Sequence, residues 1–101
     1  MGREAQDAFS RLEAELQQER TAALGRIGRT LEDLIRQMNE IRRQLAGAPA
    51  PRAQELRAEY AELHERARTW RWYLEVQREA VGLRRHDRLD ESYPIPPPLE
   101  R

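Results

Sequence analysis

The stretch AQELRAEYAELHERARTWRWYLEVQREAVGL, residues 53–83, decides the fold. With one polar exception, apolar side chains recur in it at alternating spacings of four and three residues. This heptad pattern, held for about four repeats, is typical of a long helix that presents one stripe to another helix. The stripe, which we call the seam, consists of Leu56, Tyr60, Leu63, Ala67, Trp70, Leu74, Gln77 and Val81.

The residues before this stretch carry a matching pattern. They predict a first long helix over residues 4–46, with strictly heptad spacing from Leu24 to Leu45. Between Leu16 and Ile27 the repeat slips by about half a heptad, which locally unwinds a supercoil. The apolar positions of this helix are Phe9, Leu12, Leu16, Leu24, Ile27, Leu31, Leu34, Met38, Ile41 and Leu45.

A short break, AGAPAP, separates the two heptad patterns. Connections of this length make consecutive helices antiparallel neighbours. We therefore predict an all-α, antiparallel two-helix hairpin that resembles a coiled coil. Residues 1–86 form the hairpin, with helix 1 over residues 4–46, a loop over 47–51 and helix 2 over 52–85. Gly82 then marks the fraying end of helix 2.

Two glycines interrupt helix 1, where each costs up to about 1 kcal/mol relative to alanine. In an antiparallel hairpin, Gly25 and Gly28 lie level with Trp70 and Tyr73 of helix 2. We interpret the missing side chains as room for the large rings opposite. A flexible joint in helix 1 is the alternative.

The end of helix 2 is apolar on two faces. Trp72, Val76 and Leu83 lie on one line, and Trp72 lies about 200° around the helix from Trp70. One partner helix cannot cover both faces, so we expect a third element against this line. The candidates are the C-terminal tail, a second copy of the chain, or a different protein.

Residues 87–101, DRLDESYPIPPPLER, predict an extended proline-rich arm, because four prolines in five positions exclude a helix. Its apolar side chains are those of Tyr93, Ile95 and Leu99. We expect them to dock on the line of Trp72 in the same molecule. Recognition of the arm by another protein is the alternative, since Pro94 and Pro97 have the minimal spacing for a polyproline groove.

The composition argues against catalysis. Charged residues make up 36% of the chain, its net charge is zero, its mean hydropathy is −0.96 and it has no cysteine. The two histidines, His64 and His86, lack partners at ligand spacing. No nucleophile or phosphate-loop motif occurs. We expect no enzyme activity, no catalytic residue, no cofactor, no metal and no small-molecule substrate.

These patterns indicate a protein-interaction module, such as a small adaptor, chaperone or scaffold subunit. We expect a homodimer, most simply a four-helix bundle, that also binds an unidentified protein in the cytoplasm. No membrane span and no signal peptide are expected from the sequence. The predicted partner-binding residues are Trp72, Val76, Leu83, Tyr93, Ile95 and Leu99.

An Arg cluster supports an alternative function, that of a nucleic-acid accessory protein. Arg78, Arg84, Arg85 and Arg88 lie near the end of helix 2, close to aromatic residues that could stack on bases. Acidic neighbours and the neutral total charge weaken this interpretation. All 18 basic residues are Arg. This is typical of a GC-rich genome, and we expect a bacterial source.

Overall fold

The computed structural model describes residues 2–99, and it contains helices but no strand in that range. The helices are α1 (Arg3–Leu45), α2 (Ala50–Ala80) and the short α3 (Leu89–Ser92). The two long helices pack against each other, so the prediction of an all-α fold built on a helical hairpin is confirmed. The molecule is a rod of 73 × 22 × 15 Å.

Backbone hydrogen bonds and prolines form the turn between α1 and α2. The amide of Gly47 donates to the carbonyl of Gln44, and the amide of Ala48 donates to that of Leu45, both at 3.4 Å. Pro49 precedes the first residue of α2, and Pro51 lies in its first turn. A proline suits that position because the first turn of a helix leaves its N–H groups unpaired.

The core lies where the seam of α2 packs against α1: five of the eight seam residues are buried, and Trp70, Gln77 and Val81 are half-buried. Leu31, Met38 and Ala67 are fully buried, and Tyr60 is 1% exposed. The hydrophobic effect along this line holds the two helices together. The buried apolar residues are Leu31, Leu34, Ile35, Met38, Ile41, Leu56, Tyr60, Leu63, Ala67, Leu74 and Leu89.

Helix α2 ends at Ala80, five residues before the predicted end, and its end is capped. Gly82 has a φ of 91°, in the left-handed region that favours glycine. The amide of Leu83 donates to the carbonyl of Arg78 at 2.9 Å, and the amide of Gly82 donates to that of Glu79 at 3.0 Å. This pair of bonds is a Schellman motif, which turns the chain away from the helix axis.

Residues 87–101 were predicted to be extended throughout, and this prediction is wrong at the start of the segment. Leu89–Ser92 form α3, and Leu89 belongs to the core. Arg71 of α2 holds this turn in place, because its Nη1 lies 2.6 Å from Oδ1 of Asp90. The sequence interpretation had assigned a role to neither Leu89 nor Arg71.

The residues after α3, which we call the arm (residues 93–99), run back along the hairpin. Tyr93, Ile95 and Leu99 pack against the core, and Pro96 is buried. The hydroxyl of Tyr60 donates to the carbonyl of Pro97 at 2.6 Å. Burial around this hydroxyl raises the pKa of Tyr60 above its ordinary value.

The expectation that the arm covers the line of Trp72 is wrong, because the arm packs against the hairpin core instead.

Gly28 does face a large ring, but the ring is that of Tyr93 and not that of Trp70. A Cβ at Gly28 would lie 2.5 Å from Tyr93 Oη and 3.3 Å from Tyr93 Cζ. For a Cβ at Gly25, the described residues outside the local helix backbone place just one atom within 4 Å, in the side chain of Arg29 at 3.4 Å. The glycine at position 28 thus makes room for the arm, which the pairing of two helices alone could not show.

We expect Gly25→Ala and Gly28→Ala to shift stability in opposite directions. Both changes improve helix propensity by up to about 1 kcal/mol, so Gly25→Ala should raise the midpoint of urea unfolding. Gly28→Ala should lower the midpoint, because the new methyl group displaces Tyr93.

A Tyr93→Phe background is the control for this pair, since it removes the closest atom. There the loss caused by Gly28→Ala should shrink. If Gly28→Ala stabilises the wild-type chain as much as Gly25→Ala does, the contact with Tyr93 does not restrict position 28.

Candidate protein-interaction surface

An exposed aromatic surface lies on α2, away from the arm. It consists of Trp72, Tyr73 and Val76, whose exposed fractions are 59%, 45% and 37%; we call it the α2 patch. The ring centroids of Trp72 and Tyr73 are 5.4 Å apart. Tyr73 also lies 5.7 Å from the half-buried ring of Trp70, so the patch continues to the edge of the seam.

The helical period explains why these side chains stay exposed. Leu74 and Ala67 point into the seam, whereas Trp72 is about half a turn away from that direction. Glu65, Arg68 and Thr69 border its ring in a shallow depression. A Trp surrounded by polar side chains on a solvated helix face is available for contact with another molecule.

The structure separates the predicted partner-binding residues into two groups. Trp72, Val76 and Leu83 are exposed, as a binding role requires, although Leu83 lies beyond the end of α2. Tyr93, Ile95 and Leu99 instead pack against the hairpin core. The six residues therefore do not form one surface. Tyr73, which the prediction left out, joins Trp72 and Val76 on the α2 patch.

A second apolar surface lies on the N-terminal part of α1. Counting out from the turn, residues on α1 and α2 that lie level have numbers that sum to about 98. Ala80, the last residue of α2, is thus level with about residue 18. Residues 3–18, which we call the α1 overhang, extend beyond α2. Phe9, Leu12 and Leu16 are exposed on this segment.

Only part of the Arg cluster proposed for the alternative function is available for binding, because Arg78 is engaged in hydrogen bonds within the chain. Arg78 Nε donates to His86 Nδ1 at 3.2 Å, and its Nη2 donates to the carbonyl of Arg85 at 2.7 Å. His86 Nε2 lies 3.1 Å from Glu79 Oε1. These contacts fix the turn after α2, so Arg78 has a structural role. Arg84, Arg85 and Arg88 are exposed.

Within residues 2–99, no group of His, Cys, Asp or Glu side chains is arranged to hold a metal ion. In the same range, none of the helices combines the length and the apolar character that crossing a membrane requires. Comparison with protein-family models, with curated proteins and with solved structures finds no match to this chain.

Proposed function

We propose that the protein is a non-enzymatic interaction module, such as a small adaptor, chaperone or scaffold subunit. One observation supports this most. The chain has an apolar arm that folds onto its own hairpin, yet that arm leaves Trp72 more than half exposed. Trp and Tyr are the residues that contribute most to binding at protein interfaces.

The partner that suits the α2 patch is an amphipathic helix of another protein. Trp72 and Val76 lie one helical turn apart, so they form a ridge along α2. Helices recognise each other by packing such ridges into the grooves between side chains. Glu65 and Arg68 flank the ridge with opposite charges, as at the polar rim of an interface.

Self-association belongs to the same proposal, although not as a four-helix bundle. Two hairpins packed side by side would need a further apolar face along the seam. The seam is already buried within one chain, and the arm lies on one side of it. In this proposal the proline-rich arm completes the fold, and the α1 overhang is the surface left for a second copy.

We expect Trp72→Ala to weaken binding of the partner by at least about tenfold, because an interface Trp typically contributes about 2 kcal/mol or more. A photo-crosslinking residue at position 69, which borders Trp72 and leaves that ring in place, identifies the partner in cells. Its affinity is then measured with purified proteins by calorimetry. Phe9→Ala is the matched control: Phe9 is an aromatic residue as exposed as Trp72 but lies on the α1 overhang, so the change in affinity should be under about twofold.

Equal losses of affinity for Trp72→Ala and Phe9→Ala would contradict the assignment of the α2 patch. The salt dependence of binding tests the alternative function. Binding through the patch should persist in half-molar salt, whereas phosphate contacts of Arg84, Arg85 and Arg88 would be lost. A complex that dissociates as salt rises and contains nucleic acid would favour that alternative.

A further inference from the structure

The apolar stripe of the α1 overhang continues the seam beyond the end of α2. Phe9, Leu12 and Leu16 lie on nearly the same side of α1 as Leu24 and Ile27, which pack against the core. Their exposed fractions increase with distance from α2, from 44% at Leu16 to 53% at Leu12 and 62% at Phe9. The overhang is thus one half of a helix pair whose other half is missing.

The exposed fractions show that the rest of the described chain leaves this stripe largely uncovered. After the Schellman turn at Gly82 the chain runs in the opposite direction, and Tyr93 already lies at Gly28. A helical segment of about 15 residues without tertiary contacts is only marginally stable in water. The exposed apolar residues of the α1 overhang therefore call for a partner along residues 3–18.

We propose that the α1 overhang of a second copy, running antiparallel, covers this stripe. We infer a second copy for two reasons. The stripe continues the apolar face of α1 that packs against the seam, and two such stripes match each other in spacing and length. In antiparallel coiled coils, the two apolar positions of the heptad pack against each other. Here this pairing places Phe9 against the partner's Leu12, and Ala5 against the partner's Leu16. Because the dimer is symmetric, each of these two pairings occurs twice, which gives four layers of paired side chains.

The lengths of the helices fit this arrangement. In this register the partner's Arg3 lies level with about residue 18, where α2 of the first copy ends. The partner's helix thus follows α2 along the same face of α1, and the apolar face of α1 is covered from end to end. The rest of the partner extends away from the first hairpin, so the dimer is a longer rod.

Two other arrangements fit less well. In a parallel pair, the partner's α1 would run onward into the space that α2 occupies. Shifting the antiparallel pair by one heptad would bring Phe9 against the partner's Glu19 and push the partner's first turn alongside α2. The antiparallel pair of Phe9 and the partner's Leu12 avoids both conflicts.

The inference rests on the self-association part of the proposed function, and it is independent of the α2 patch. A contact between two short helices buries less than the roughly 1,200 Å² of a standard interface. We therefore expect a reversible dimer, with a dissociation constant on the order of micromolar. Its formation should also raise the helix content of the chain as the concentration increases.

Sedimentation equilibrium of the full chain tests this directly. The wild type should be a dimer at high micromolar concentration. Leu12→Glu should weaken dimerisation by at least about a hundredfold, because it buries two unpaired charges near the symmetry axis. Val76→Glu, an equivalent change on the α2 patch, should leave the dimer intact. Circular dichroism of each variant shows that the hairpin remains folded.

A monomeric wild type at these concentrations would overturn the inference, and so would a Leu12→Glu variant that dimerises normally. Loss of the dimer in Val76→Glu alone would assign self-association to the α2 patch instead. If the crosslinker on the α2 patch captures no partner while the dimer still forms, only the binding role of the α2 patch is contradicted. The two proposals can therefore fail separately.

Cysteine pairing tests the direction and register, since the chain has no cysteine of its own. Ala5→Cys and Leu16→Cys, mixed and oxidised, should form a disulfide-linked dimer. Either variant alone should not, because like positions lie about 16 Å apart along the axis and a disulfide needs Cα atoms within about 7 Å. Crosslinking of each variant alone, without the mixed product, would indicate a parallel pair and refute the proposal.

Discussion

Replacing Leu31 with alanine is expected to lower the free energy of unfolding by about 2–5 kcal/mol, the range for large-to-small changes at buried sites. Leu31 is completely buried in the cluster where α1, α2 and the arm meet. Two stiff helices cannot close around the missing atoms, so a cavity remains and its cost adds to the lost burial. For a rod with a narrow core, this is a large part of the total stability.

Urea unfolding followed by circular dichroism measures this effect, at a concentration low enough for the chain to be monomeric. Leu12→Ala removes the same atoms from the same helix and is the matched control. Because Leu12 is more than half exposed, its effect on the monomer should lie within about 0.5 kcal/mol. Equal losses for Leu31→Ala and Leu12→Ala would mean that the seam is not the core.

The seam could be predicted because its signal is local and repeated. Apolar residues such as Leu56 and Leu63 recur at heptad spacing over several repeats, which indicates a helix. A short turn between two such patterns leaves only an antiparallel pairing of the helices. The start of α1 at Arg3 and its end at Leu45 lie within a residue of the prediction. The end of α2 was misplaced because a heptad pattern does not show where a glycine turns the chain.

The arm could not be placed in this way, because its position depends on contacts between distant residues. The two-sided apolar pattern at Trp70 and Trp72 predicted a third element against Trp72, but it could not show which one, and in the described chain Trp72 stays 59% exposed. Instead, the chain turns at the Schellman motif of Gly82, and the buried Leu89 and the pairing of Arg71 with Asp90 join the following turn to the hairpin. Polar contacts of this kind leave no periodic signal in a sequence.

The α1 overhang had a signal that the sequence interpretation did not use. Helix 1 was predicted over residues 4–46 and helix 2 over residues 52–85, so the first was already the longer. The earlier end of α2 increases this difference and leaves Phe9 and Leu12 without a partner. A mismatch in helix length combined with apolar residues on the longer helix is thus the sequence feature on which the proposed association rests.

Ending the chain after Ser92 is expected to destabilise the hairpin by about 2–4 kcal/mol and to expose its core. The truncation removes Ile95 and Leu99, which are partly buried, and each buried methylene contributes about 0.8 kcal/mol. It also leaves the Tyr60 hydroxyl without the Pro97 carbonyl, at a cost of about 1 kcal/mol. Urea unfolding measures the loss, and a hydrophobic dye should bind to the truncated chain.

The pKa of Tyr60 distinguishes an arm that covers the seam from one that only lies near it. Burial raises this pKa in the full chain, so removing the cover should let it fall toward its ordinary value, as ultraviolet titration measures. A full-length chain with Ile95→Ala and Leu99→Ala is the control, because it keeps the backbone acceptor at Pro97 but loses apolar contact. Unchanged stability and an unchanged pKa of Tyr60 after truncation would show that α1 and α2 bury the seam by themselves. The contact between position 28 and Tyr93, whose atoms are the nearest ones described there, would then contribute nothing to stability.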